Sequence, residues 1–170
     1  MVIGEAACQV IPAHGSGVAS ALYAGHLAAK VGASALKQGE TSTRALWPYS
    51  HKYQSGRGAT LACYDVNKLV VESLTNDQLS RLMEYGVMAP EDTWNAAVPK
   101  PVSMSLRSLP GRVIGLIKAP DLLGPVVDMG MSIATVKKHY KNYPREYDCE
   151  VIKQWKEKAA QIFAPLSKMG

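Results

Sequence analysis

The chain has 170 residues, of which 47% are hydrophobic, and its formal net charge is +5. This length allows one domain with a sizeable core, and the apolar content argues against intrinsic disorder. Because Phe is rare while Ala, Gly and Met are plentiful, the composition favours closely packed helices over a β-sandwich, and we predict a mainly helical body.

The chain opens on an apolar triplet, residues 1–3, which is typical of the end of a buried strand and runs directly into Gly4. A strand of three residues is not stable alone. We therefore expect either that Met1 begins a fragment cut inside a larger sheet, or that this edge pairs with strands of another chain.

Apolar residues then recur at the spacing of a helix through most of the sequence. The first predicted helix runs from Ser16 to about Lys37 and stops near Gly39. Gly25 and Gly32 lie seven residues apart on one face of it, which suggests that another segment packs close to this helix. The later predicted helices begin near Ala59, at a capping box from Thr75 to Gln78, at Pro90 with an end at Pro99 and Pro101, and cover residues 112–119, 122–140 and 150–163.

A polar stretch, residues 38–44, separates the first helix from Trp47 and marks the best candidate for a domain boundary. We divide the chain into a segment of residues 1–45 and a helical carboxy-terminal region of residues 46–170. The first segment is the one that suggests a chemical role.

That role is indicated by residues 4–18, which read GEAACQVIPAHGSGV. The predicted strand ends at Gly4, the acidic Glu5 follows it, and a loop rich in Pro and Gly leads into a helix amino terminus. Such an arrangement offers one acceptor for sugar-type hydroxyls and several backbone N–H groups for negative charge. The segment therefore suits a polyhydroxylated, anionic ligand.

The same residues resemble the second FAD motif of glutathione-reductase-like and hydroxylase-like flavoproteins, in which Gly-Asp-Ala-Ala precedes a Pro-x-x-Gly-x-Gly turn. More narrowly, Ala-Ala-Cys-Gln at residues 6–9 and Pro-x-His-Gly at residues 12–15 are similar to the version in the geranylgeranyl reductase family, which includes archaeal digeranylgeranylglycerophospholipid reductases. Further similar positions are Tyr53, Gly56, Ala62, Asp65, Val66, residues 74–79 and residues 140–144.

This resemblance implies a fold in which a short strand and a helix complete an FAD/NAD(P)-binding α/β domain of the glutathione-reductase type, followed by a helical carboxy-terminal region. It implies FAD as cofactor, with Glu5 near the ribityl chain or a phosphate. The loop would run beside the pyrimidine side of the flavin. The implied cofactor-binding residues are Gly4, Glu5, Pro12, His14, Gly15, Ser16 and Gly17.

The implied function is that of a carboxy-terminal fragment of an FAD-dependent reductase, an oxidoreductase that saturates isoprenoid double bonds of prenyl lipids by hydride transfer. The strand–GxGxxG–helix unit that holds the ADP half of FAD is absent from these residues. We therefore expect the chain alone to be inactive and to need an amino-terminal FAD-binding portion, in the same or another chain. Glu5 also departs from the usual Asp, and its extra methylene moves the carboxylate by more than about 1 Å.

Several alternatives remain open at this point. Glu5 could be a surface carboxylate, and the two glycines before the helix could form a simple entry turn. His14 could neighbour the reduced flavin or donate a proton, but a loop histidine without a chemical role is the plainer interpretation. For Cys8 we expect a small buried residue. Aromatic residues that could line an isoprenoid cavity, or simply pack in the core, are Trp47, Tyr49, Tyr53 and Trp94.

The whole chain could also belong to another flavoprotein, such as a hydroxylase or halogenase, or be a non-catalytic helical interaction module. Residues 137–170 hold eight Lys or Arg against four Asp or Glu, so this region could meet anionic lipid headgroups, or it could be a solvated helix face. No nucleic-acid motif accompanies it. The interaction module would use this basic region.

The remaining features limit the setting of the protein. Three widely spaced cysteines without a CxxC pair or Cys/His spacing predict no metal site and favour the reducing cytoplasm. The uncharged stretch of residues 6–29 is interrupted by Gln, Pro, His and Gly, so we predict neither a membrane span nor a signal peptide. We expect a cytoplasmic protein, with peripheral membrane contact as an option, and assign no catalytic residue.

Overall fold

The computed structural model of the chain describes residues 1–12, 14–88 and 109–166. Within these ranges the body is helical, as predicted, and holds seven α-helices. They are α1 (Val18–Lys37), α2 (Thr43–Tyr53), α3 (Ala59–Ser73), α4 (Asn76–Glu84), α5 (Leu109–Lys118), α6 (Leu123–Lys141) and α7 (Cys149–Phe163). Shorter elements are the 3-10 turns Gly4–Ala7 and Pro120–Leu122 and the π-helical segment Gln54–Gly58.

The predicted amino-terminal strand does not form within the described residues. Ile3 has an extended backbone, with φ −137° and ψ 165°, but the described ranges contain no strand for it to pair with. Residues 1–3 instead lie along α1. The side-chain tip of Ile3 is 3.8 Å from the position that a Cβ would take at Gly25, and the tip of Met1 is 3.8 Å from the same position at Gly32. The predicted packing on these glycines is confirmed, while the α/β arrangement is not seen in this part of the chain.

Most predicted helices are found close to their expected limits. Helix α1 ends before Gly39, which has φ +65°, and α4 begins with the full capping box between Thr75 and Gln78. Helices α3, α5, α6 and α7 cover the other segments that showed helical periodicity. The helix expected at Pro90, with its end at Pro99 and Pro101, lies outside the described residues.

Helix α2 was not predicted, because the polar stretch before Trp47 was interpreted as a linker. Ser42 begins the helix by accepting a hydrogen bond from the Ala45 N–H at 3.3 Å, and Pro48 lies inside it. Three of its aromatic residues, Trp47, Tyr49 and Tyr53, are buried. Burial of these rings outweighs the helix-breaking proline, and α2 runs through the position proposed as a domain boundary.

The largest core lies between α3 and α6, where Val66 and Val136 are fully buried. A second core joins α1 to α2 through Ala24, Val31 and the tyrosines of α2. Because the amino-terminal segment rests on α1, this second core fixes the segment of chemical interest to the helical body. None of the helices in the described ranges combines the length and the hydropathy that a bilayer crossing needs.

Candidate functional site

The loop before α1 is closed on itself by backbone hydrogen bonds. The Ile11 N–H donates to the Ser16 carbonyl at 2.9 Å, and the Gly15 N–H donates to the Ile11 carbonyl at 2.8 Å. Ile11 is 2% exposed and packs against Leu61 and Tyr64 of α3. The base of the loop is therefore anchored in the body, while His14, Gly15 and Ser16 are exposed at its tip.

The two glycines of this loop are needed for different reasons. Gly15 has φ +72°, a left-handed conformation, and no atom of the described residues lies within 4 Å of the position a Cβ would take. A Cβ at Gly17 would lie 3.1 Å from Cγ1 of Val10, which is a tight contact. The loop thus combines an open tip with a close backbone approach just before the helix.

The amino terminus of α1 carries positive potential. Gly17, its N-cap, supplies no side-chain acceptor, the first turn contains no acidic residue, and first-turn N–H groups have no partner within a helix. Arg57 brings a positive charge close to this helix start, because its guanidinium donates to the Ser20 hydroxyl at 3.0 and 3.3 Å. Ser20 is fully buried in the first turn of α1. Arg57 was not assigned a role from the sequence, since its π-helical segment gave no recognisable pattern.

The turn that carries Glu5 is held by Gln9, which was likewise assigned no role from the sequence. The Gly4 N–H donates to Oε1 of Gln9 at 2.7 Å, and Nε2 of Gln9 donates to the Tyr49 hydroxyl at 2.9 Å. Both side chains are 6% exposed, so this amide links the turn to α2 in a buried setting. Glu5 itself is exposed on the turn. The signals in the sequence were its place in the Ala-Ala-Cys-Gln run and its isolation in a long uncharged stretch.

Other expectations for this segment have mixed outcomes. Cys8 was expected to be buried, and this is wrong: it is exposed, with φ 53°, because it closes the 3-10 turn in the left-handed conformation. His14 is exposed, and its Nδ1 accepts the Ser16 N–H at 3.3 Å. Pro12 is half-buried between these parts of the loop. The structure places the predicted cofactor residues in one continuous segment, from the turn at Gly4 to the start of α1.

A buried hydroxyl that has no partner among the described residues lies in the core beneath the segment. Tyr53 is 3% exposed, and no described residue is within hydrogen-bonding reach of its hydroxyl. Burial raises its pKa to about 12, with a smaller contribution from Tyr49, whose ring stacks on it at 6.0 Å between centroids. These tyrosines and Trp47 pack in the core, which confirms the plainer expectation for them, and Trp94 lies outside the described residues.

The described residues define a class: a helical module whose amino-terminal loop leads into a helix start without a side-chain cap, close to the guanidinium of Arg57. Such a helix start would suit an anionic group, such as the negatively charged pyrimidine side of the reduced flavin that the resemblance implies. The fit rests on the open space at Gly15 and the uncapped start of α1.

Comparison with known proteins finds relatives that share one name. The digeranylgeranylglycerophospholipid reductase of Sulfolobus acidocaldarius is 29% identical over 168 residues, which are 99% of this chain and 37% of that protein. The enzyme of the same name from Methanospirillum hungatei is 37% identical over 84 residues, covering 49% of the chain and 21% of the relative. The one from Methanoculleus marisnigri is 29% identical over 118 residues, covering 69% and 26%.

The chain is therefore a homologue of the digeranylgeranylglycerophospholipid reductases, and the resemblance expected from the sequence is confirmed. The names of these relatives support an oxidoreductase family. No protein-family model matches the chain. It spans little more than a third of the length of the Sulfolobus relative.

Proposed function

We propose that the chain supplies the carboxy-terminal part of an FAD-dependent reductase of prenyl lipids, with Gly4, Glu5 and residues 12–17 on the flavin side of the cofactor. The observation that carries the proposal is the closed loop leading into an uncapped helix, with Arg57 behind the first turn. Residues 1–45 then form the flavin-side segment, and residues 46–170 form the helical carboxy-terminal region.

The chain's own residues would act by positioning and electrostatics. The glycines allow the backbone to approach the ring, and the first-turn N–H groups of α1 stabilise negative charge by about 0.3–1 kcal/mol, more where the contact is buried. Arg57 adds to this field through Ser20. Glu5 offers an exposed acceptor for hydroxyls of the ribityl chain. FAD, when bound, would supply hydride transfer to an isoprenoid double bond.

The experiment is reconstitution. The chain is co-expressed with the portion of the Sulfolobus acidocaldarius reductase that has no counterpart in it, and a geranylgeranyl lipid is supplied with reduced flavin. We expect the chain alone to bind FAD poorly and to be inactive, and the pair to saturate double bonds, adding two hydrogens at each. Oxygen insertion instead would favour the hydroxylase alternative, and a chain that is yellow and active alone would overturn the fragment proposal.

We further propose a cytoplasmic protein that contacts anionic membranes peripherally, as access to a prenyl lipid requires. One face of α6 supports this contact, because helical spacing places three exposed apolar residues and two exposed lysines on the same side. These residues are Leu123, Val127, Met131, Lys138 and Lys141.

Vesicle co-sedimentation tests this contact against the alternative of an interaction module that binds proteins only. Binding should require acidic lipid and should weaken in Val127→Asp and Lys138→Glu. Lys153→Glu on α7 is the matched control for the charge change. Binding that ignores lipid charge, or that falls equally in the control, would contradict the membrane proposal.

A further inference from the structure

A cleft lined by basic side chains lies between the end of α2, with the π-helical segment that follows it, and the turn after α6. The cleft has a volume of about 510 Å³. His51 and Ser55 line one wall, and Lys141 and Arg145 line the other. This volume is in the range of small-molecule sites.

The backbone that carries these cations is held firmly by α2. Nε1 of Trp47 donates to the Pro144 carbonyl at 3.0 Å, and Nδ1 of His51 lies 3.0 Å from the Tyr143 carbonyl. The rings of Trp47 and Tyr143 stack at 5.5 Å between centroids. Two contacts on successive carbonyls fix the turn, so the positions from which Lys141 and Arg145 extend are set before any ligand arrives.

The His51 contact also orients its ring. A carbonyl can only accept, so Nδ1 carries the proton in this contact and Nε2 is left as the other polar atom of the ring. His51 is only partly buried and lines the cleft. It can therefore contribute a polar group to a ligand that the two cations attract.

Among the described residues, no ion pair neutralises the positive charges of the cleft. Among the described residues, the ion pairs involve Lys68 with Glu72, and Arg81 with two aspartates, and neither Lys141 nor Arg145 takes part. A plainer explanation for Lys141 is that its charge stabilises the negative, carboxy-terminal end of the α6 dipole. That explanation does not extend to Arg145, which lies beyond the helix end, or to His51 on another helix.

We propose that this cleft binds a phosphate group, held by Lys141 and Arg145 with His51 beside them. A phosphate suits the site because guanidinium and ammonium groups give short, charge-assisted hydrogen bonds to its oxygens. The group could be soluble phosphate or the headgroup of a phospholipid. In the second case the inference rests on the proposed prenyl-lipid function, because the cleft would then hold the polar end of that substrate class.

Titration with inorganic phosphate at constant ionic strength, followed by calorimetry, tests the site directly. Lys141→Gln and Arg145→Gln should each weaken binding roughly fivefold or more, since each removes one charge-assisted contact. Lys153→Gln and Lys156→Gln on α7 remove equally exposed charges outside the cleft and should leave binding unchanged. Absence of phosphate binding, or equal loss in all four variants, would overturn the proposal.

Binding to vesicles distinguishes a phospholipid headgroup from soluble phosphate as the ligand. If the headgroup is the ligand, binding to phosphatidic acid vesicles should fall in the cleft variants and be competed by free phosphate, while phosphatidylcholine vesicles show neither effect. If only soluble phosphate responds to the variants, the site stands and the headgroup source is wrong. Unfolding temperatures verify that the variants fold. Flavin retention in the reconstituted enzyme should not change, so failure here is distinct from failure of the flavin proposal.

Discussion

Two stacked tyrosines of α2 offer a matched test of what holds the site segment in place. Tyr49 and Tyr53 are both buried, and their ring centroids are 6.0 Å apart. The hydroxyl of Tyr49 accepts the Gln9 side chain at 2.9 Å, whereas that of Tyr53 has no partner among the described residues. Replacing either by Phe removes one oxygen atom and keeps the ring.

The two substitutions should change stability in different directions. Tyr49→Phe leaves a buried N–H of Gln9 unpaired, which costs about 1–3 kcal/mol, or roughly 2–12 °C in Tm for a chain of this size. Tyr53→Phe removes an unpaired buried hydroxyl and should leave stability unchanged or raise it by up to about 1 kcal/mol. Chemical denaturation of the three proteins measures both. Equal losses, or a larger loss in Tyr53→Phe, would refute the assigned role of Gln9.

Further predictions concern close backbone approaches and pH. Gly115→Ala should destabilise the chain by about 1–3 kcal/mol, because its Cβ would collide with the Tyr85 carbonyl. At Gly111 in the same helix, an added Cβ meets no described atom within 4 Å, so Gly111→Ala should be neutral or stabilising. Denaturation midpoints compare the two variants. Stability should fall between pH 10 and about 12, because the pKa of Tyr53 is raised from 10.0 to about 12 and the neutral form is the one that folding favours. Tyr53→Phe should make that fall smaller, and a pH-stability series that is identical in both proteins would contradict it. Gly15→Ala should cost about 1–2 kcal/mol through its left-handed backbone alone, and no loss on denaturation would show that the loop is not held at φ +72°.

The helices were predictable because their signals are local. The capping box at Thr75 and the stop at Gly39 depend on residues within one turn, and the structure has both as expected. Helix α2 was missed because local signals oppose it: a polar entry and an internal Pro48 indicate a linker. Its formation depends on burying aromatic rings against α1 and α7, which no local pattern shows.

The site was predictable in part for the same reason. The conformation of the loop at residues 12–17 depends on neighbouring Pro and Gly residues, so its entry into α1 could be predicted from the sequence. Arg57 and Gln9 could not, because their partners, Ser20 and Tyr49, are 37 and 40 residues away in sequence. The prediction of a strand at residues 1–3 was wrong for a related reason, because a strand needs a neighbouring strand that the described residues do not provide.

The most direct test of the central claim is flavin retention in the reconstituted enzyme after Val18→Asp. Val18 is 73% exposed in the first turn of α1, so the change removes no core packing, and an acidic residue there favours the helix itself. Leu22→Asp, at a position 71% exposed one turn later, is the control. If the start of α1 faces the flavin, visible flavin absorbance after gel filtration should fall several-fold in Val18→Asp while the chain becomes no less stable. Equal flavin content in Val18→Asp and the wild type would contradict the claim.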